Sequence, residues 1–237
     1  MKAGRIHSSN MKPSYSPSDS SEETPSGRVS VFRWILYYFI AFPVLALTDF
    51  LVFNLKVEGR KNLKGIHGVI LVSNHVHYID SGMIGCAVFP RRVIFVSHIG
   101  NFSLPVYGWW VRQIACIPIG ETFRQHKAFL QQCTAKLEQG RCVAIYPEGD
   151  IEHNPPSLQP FTNGAFQLAV RTGLPVLPLV ITIRPSKGIR RVWQSKNFYC
   201  VHIGLPIYPE ANGSVKARVE EMKERTYTCF LSFLERC

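Results

Sequence analysis

The sequence predicts an α/β protein: a mixed, mainly parallel central sheet flanked by helices, preceded by an N-terminal hydrophobic helix pair. Three observations lead there. Short apolar runs rich in β-branched residues recur from residue 68 onward, segments of helical periodicity lie between them, and the most hydrophobic stretch precedes the whole alternation.

The elements follow in order. Residues 1–30 are rich in Ser, Pro and Lys without hydrophobic period, and read as a disordered tail lacking the apolar core of a signal peptide. Residues 31–55, VFRWILYYFIAFPVLALTDFLVFNL, hold a charge-free run from Trp34 to Thr48 interrupted by Pro43. A membrane-crossing helix needs about 20 apolar residues. This shorter, proline-broken run suits two helices lying in or dipping into one leaflet, and its aromatic load suits a headgroup interface. Residues 56–237 form the remaining domain. Strands are expected at 68–73, 93–97, 114–119, 141–146, 176–183 and 198–203. Helices are expected at 79–89, at 122–139 behind a Thr122-x-x-Gln125 capping box, at 163–172 before Gly173, and at 214–236. In the last of these, Val219, Met222, Thr226, Phe230 and Phe233 make an apolar stripe at helical spacing.

Bulk properties narrow the function classes. Hydrophobic residues are 46% of the chain, ordinary for a globular protein and too few for a polytopic membrane protein. The formal net charge is +11; residues 1–30 hold four Lys or Arg against three Asp or Glu, so the excess belongs to the folded part. A basic folded surface favours anionic partners such as phospholipid headgroups or phosphorylated substrates. A nucleic-acid partner is not expected, since no recognition motif is present and the hydrophobic N-terminal stretch fits such a role badly. The seven cysteines form no CxxC pair and read as reduced thiols in a cytoplasmic setting.

Chemistry concentrates in two places. Residues 72–81 read VSNHVHYIDS, where a strand ends and polar residues cluster at once. On one continuous helix His75 and Asp80 would not share a face; they meet if His75 lies in a loop and Asp80 in the first helical turn, where the dipole favours a carboxylate. A carboxylate bonded to one imidazole nitrogen fixes the tautomer and raises basicity at the other, so the pair can take a proton from an attacking alcohol. The same residues admit plainer readings, Asp80 as an N-cap and His75 as a loop residue. They also admit a metal reading, in which His75 and His77 point to one side of an extended segment. The second place, residues 141–150 (RCVAIYPEGD), runs a buried strand into Pro147, Glu148 and Gly149, with Glu148 at the strand mouth.

Asn74, His75 and Asp80, followed about 70 residues later by Tyr146, Pro147, Glu148 and Gly149, resemble the 1-acylglycerol-3-phosphate (glycerolipid) acyltransferase family. VEGRKNL at 57–63, PFTNGAF at 160–166 and GLPVLPL at 173–179 resemble further blocks of that family. The resemblance implies an O-acyltransferase that moves a fatty acyl group from acyl-CoA or acyl carrier protein to a lipid hydroxyl. His75 would act as base and Asp80 as its orienting partner, without a covalent acyl-enzyme and without metal or redox cofactor. It also implies substrate contacts from Asn74, Tyr146, Pro147, Glu148 and Gly149, loop N–H groups as oxyanion donors, and a place on the cytoplasmic face of a membrane, peripheral or monotopic through residues 31–55. Partners would be membrane lipids and the thioester donor. A non-catalytic lipid-binding member and a metal-dependent hydrolase are the alternatives.

The chain departs from the family pattern where cations are expected to grip the acceptor's phosphate. The family's Thr-Arg after its Glu-Gly becomes Asp150 and Ile151, the Arg of its second block becomes Glu121, the Gly of that block becomes Ala115, and the Lys of its Pro-Phe-Lys stretch becomes Thr162. Each lost charge-assisted bond costs about 1.5–3 kcal/mol. The substitutions therefore argue against simple lysophosphatidate as acceptor. Arg124, one helical turn from Glu121, is a candidate substrate-binding cation in place of those lost; the plainer readings are a surface residue or an ion-pair partner of Glu121.

Overall fold

The computed structural model describes residues 54–77, 79–114, 116–149, 158–185 and 197–236, with six further positions between 35 and 47. The tail at 1–30, most of the hydrophobic stretch at 31–55, Asp150, Ile151 and Ala115 lie outside the described residues. Among the described residues no helix is long and apolar enough to cross a membrane.

Seven strands form one sheet: β1 (Lys56–Glu58), β2 (Val69–Ser73), β3 (Val93–His98), β4 (Ile117–Ile119), β5 (Cys142–Ile145), β6 (Val176–Pro185) and β7 (Asn197–Ile203), ordered β1-β7-β6-β2-β5-β3-β4. Every neighbouring pair is parallel except β6 with β7. Within residues 54–236, five α-helices accompany the sheet: α1 (Asp80–Val88), α2 (Pro105–Gln113), α3 (Phe123–Glu138), α4 (Gly164–Thr172) and α5 (Val215–Leu234). The mixed, mainly parallel sheet matches the sequence expectation. The boundaries follow local chemistry: Thr122 and Gln125 close a reciprocal capping box on α3, and Gly173, at φ 70°, ends α4 where a side chain would be strained.

The central strand β2 is buried along its whole length, as a parallel strand covered on both faces must be. Its side chains alternate: Val69 and Leu71 pack with Met83, Ile84 and Ala87 of α1, while Ile70 and Val72 pack with Phe129 of α3, Phe166 of α4 and Phe230 of α5. Val219, Met222, Thr226 and Phe230 of α5 are buried, as the stripe requires.

Two elements escape the sequence reading. β1 is a three-residue edge strand, too short to carry an alternation. α2 occupies a region to which the sequence reading assigned no element, before a strand expected at 114–119, and the strand that forms is three residues long.

The order of connections locates the site. From β2 the chain passes through α1 to β3 on one side; from the adjacent β5 it passes through α4 to β6 on the other. The winding direction thus reverses between β2 and β5, which opens a crevice at their carboxyl ends, the usual ligand position in such sheets.

Candidate active site

His75 follows β2 in a loop and Asp80 is the first residue of α1. Nδ1 of His75 lies 2.9 Å from Oδ2 of Asp80. The carboxylate is fully buried, and Oδ2 also accepts the backbone N–H groups of Val76 at 2.7 Å and His77 at 2.9 Å. Asp80 is the first residue of the helix and not its N-cap, which is Ile79 without a side-chain capping bond, so the carboxylate ties down the preceding loop rather than capping the helix. Oδ1 is buried and accepts no hydrogen bond among the described residues. With Asp80 ionised, Nδ1 of His75 carries the shared proton, which leaves Nε2 as the basic nitrogen.

The residues after β5 close on this loop from the other side of the crevice. Oε1 of Glu148 accepts the N–H of His75 at 3.0 Å, and Oε2 accepts the N–H of Gln159 at 3.1 Å. Burial pushes the Glu148 carboxyl upward, while the Gln159 and His75 N–H bonds act in the opposite sense. Tyr146 stacks on the His75 ring with centroids 4.0 Å apart and planes 12° from parallel, and its hydroxyl lies 3.4 Å from Oγ of Ser81. Burial drives the Tyr146 phenol well above its ordinary range, so it stays neutral.

Asn74, grouped with the substrate contacts, is buried, and both ends of its amide are used by the backbone of Ile181 on β6: Nδ2 donates to the carbonyl at 2.9 Å and Oδ1 accepts the N–H at 2.8 Å. It anchors the loop base. Pro147 offers its carbonyl to both the N–H and the hydroxyl of Thr162. Gly149 takes φ 87°, and its N–H turns back to Tyr146. The N–H groups of His75, Val76, His77 and Gly149 are thus all engaged, so none of these loop donors is an open oxyanion ligand. Arg124 is exposed in the first turn of α3, and Glu121 leans on Nε2 of His98 at 4.0 Å.

His77 does not converge with His75 on a common point. Its Nδ1 accepts the N–H of Ile79, and its ring meets Tyr199 edge-on. Among the described residues, the mutually close set of potential metal-binding side chains is instead Glu58, Cys200 and His202. There the imidazole is already bonded, Nδ1 to Glu58 at 3.1 Å and Nε2 to Thr182 at 3.0 Å. This network ties β1 to β7 and β6. Gln159 and Ile181 act through backbone atoms and carry no sequence signal; Ser81 is visible only once α1 is placed.

A family model described as Acyltransferase matches residues 54–182. The chain is 27% identical over 152 residues to the chloroplastic 1-acyl-sn-glycerol-3-phosphate acyltransferase BAT2 of Brassica napus, which covers 63% of this chain and 43% of that protein. It is 28% identical over 178 residues to the 1-acyl-sn-glycerol-3-phosphate acyltransferase of Haemophilus influenzae, covering 72% and 71% respectively. The match to the chloroplastic relative therefore spans less than half of its length. The crystal structure of the PlsC 1-acyl-sn-glycerophosphate acyltransferase from Thermotoga maritima superposes with TM-score 0.58 at 21% identity, covering 87% of each chain, a likeness of fold.

Proposed function

The chain belongs to the acyltransferase family matched over residues 54–182, and from that premise we propose that it moves a fatty acyl group from a CoA or acyl-carrier-protein thioester to a hydroxyl of a lysophospholipid or related lipid. The observation that carries the reading is the His75–Asp80 pair: a buried carboxylate held by two backbone N–H groups, 2.9 Å from an imidazole at the mouth of the β2/β5 crevice.

In this reading Nε2 of His75 removes the acceptor's hydroxyl proton as the oxygen attacks the thioester carbonyl. Asp80 holds the tautomer and stabilises the imidazolium that forms. Collapse of the tetrahedral adduct breaks the C–S bond, and the imidazolium returns the proton to the leaving thiolate. The ester bond formed replaces the thioester bond broken, so no metal or redox cofactor is required. Asn74, Glu148 and Tyr146 position the base: Asn74 fixes the loop to β6, Glu148 fixes the His75 backbone, and Tyr146 backs the ring.

The acceptor is a membrane lipid in this proposal, and the protein works at a cytoplasmic-facing membrane surface with residues 31–55 in contact with one leaflet. The relatives are named for 1-acyl-sn-glycerol-3-phosphate. Glu121 and Thr162 supply no cation for a phosphomonoester, and the Thr162 hydroxyl is directed to Pro147. The test is transfer of labelled acyl groups from acyl-CoA to a panel of lysolipids. Transfer that is lost in His75→Ala supports the proposal; transfer unaffected by that change removes His75 as base, and lipid binding without any transfer leaves the non-catalytic alternative.

A further inference from the structure

α2 is a poor helix for water. Of its nine residues, PVYGWWVRQ, none is acidic, and Val106 is 81% exposed, with Tyr107 and Trp109 about half exposed and Leu104 at the same level just before the helix. The helix is held from beneath by buried Val111 and by Gly108, which lies so close to the Phe102 carbonyl that a Cβ has no room. Its outer surface therefore presents aliphatic and aromatic groups together.

The placement is specific. α2 leaves the carboxyl end of β3, on the edge of the sheet where the β2/β5 crevice opens. Tyr146, whose ring covers His75, follows β5 at the same end of the sheet. At the same edge, after β4, α3 begins with Phe123, 85% exposed, followed by exposed Arg124. Lys127, one turn on, is exposed as well, and the nearby Glu121 carboxylate is turned to His98.

We propose that the outer face of α2, with the first turn of α3, docks on an anionic lipid bilayer surface and so sets the catalytic crevice against the membrane. Trp and Tyr beside aliphatic groups suit the headgroup boundary, flanking cations complement anionic headgroups, and the net charge of +11 has the matching sign. The crevice orientation rests on the acyl-transfer reading; the docking itself does not. This attachment belongs to the catalytic domain and adds to the one proposed for residues 31–55.

The experiment uses the full chain with phosphatidylcholine vesicles with and without phosphatidylglycerol. Burying one exposed valine is enough to change partitioning by about tenfold. Val106→Glu is expected to lower the vesicle partition coefficient by about that factor, with an unchanged circular dichroism spectrum. Val106→Trp places a reporter on the same face, and its added fluorescence is expected to be quenched by lipids brominated in the acyl chains. A Val106→Trp reporter that stays unquenched, a Val106→Glu chain that partitions like wild type, or a wild-type chain that binds neither vesicle would overturn the proposal. These readouts need no turnover, so a chain that docks but transfers no acyl group counts against the enzymatic reading alone.

Discussion

Tyr146 lies flat against His75, ring centroids 4.0 Å apart, with its hydroxyl reaching toward Ser81 beside Asp80. The ring limits imidazole tilt on one side while Asp80 fixes the Nδ1 edge. Tyr146→Phe keeps the stack and loses one long hydrogen bond, so kcat is expected to fall by no more than a few-fold. Tyr146→Leu removes the planar support and is expected to lower kcat by tenfold or more, with a smaller effect on KM. Equal losses in the two variants would show that the hydroxyl, not the ring face, is what counts.

The buried Oδ1 of Asp80 has no hydrogen-bond partner among the described residues, whereas Oδ2 serves three donors. An asparagine oxygen at the Oδ2 position can keep these three contacts, while Oδ1 is replaced by an amide N–H₂. Asp80→Asn is expected to fold with a melting temperature within a few degrees of wild type, yet to lose about 10³–10⁴-fold in kcat because the imidazolium is no longer charge-compensated. Unfolding of the variant would mean the charge is needed to hold the loop of His75 to His77.

Glu148 joins the two halves of the site by accepting N–H groups from His75 and Gln159. Glu148→Gln retains one acceptor and presents an N–H₂ to the other donor, so activity is expected to fall about ten- to a hundredfold. The pH dependence of stability has a definite sign. Burial raises the folded carboxyl above its ordinary 4.5, so between 4.5 and the raised value the folded state binds more protons than the unfolded one. That contribution is full below 4.5 and is lost as pH rises through the folded value. Urea unfolding across this window is expected to show wild type losing stability relative to Glu148→Gln as pH increases; an opposite trend would mean the two N–H bonds outweigh burial.

The sequence made some of this legible and not the rest, for reasons visible in particular residues. β2 and β5 were readable because both are buried on two faces and so appear as unbroken apolar runs, and α3 because its capping box is local. His75 and Asp80 were readable as a pair because a loop and a helix start only five residues apart can meet in few ways. Asn74 was read as a substrate contact through the family resemblance; the partner of its amide, the Ile181 backbone, lies 107 positions away and has no sequence signature. The Gln159 N–H is silent in the same way. α2 was missed because its apolar residues face outward, which defeats a periodicity argument that assumes apolar means core.

His202 offers a check on the far flank of the sheet. It bridges Glu58 on the edge strand β1 to Thr182 on β6, and burial lowers its pKa below the ordinary 6.5. The folded state therefore binds fewer protons than the unfolded one between the lowered value and 6.5, so this contribution is present above 6.5 and is lost as pH falls through the folded value. His202→Gln is expected to flatten that acid loss of stability and to increase amide exchange in β1 and β7, with little effect on kcat. An unchanged stability profile would remove His202 from the pH response.

The acceptor preference can be reversed by design if missing cations set it. Glu121 occupies the position where the family pattern has Arg, and its side chain is 92% exposed, so replacing it carries no packing cost. Wild type is expected to use a lysolipid with a neutral or zwitterionic headgroup at least as well as lysophosphatidate. Glu121→Arg exchanges a repelling carboxylate for a charge-assisted donor, which is worth about 1.5–3 kcal/mol toward a phosphomonoester. The ratio of kcat/KM for lysophosphatidate to that for lysophosphatidylcholine is then expected to rise by about ten- to a hundredfold, and the rise is expected to shrink with added salt if the new contact is solvent-exposed. Wild type that already favours lysophosphatidate would show that its phosphate is held by cations elsewhere, and the argument from Glu121 and Thr162 would fall.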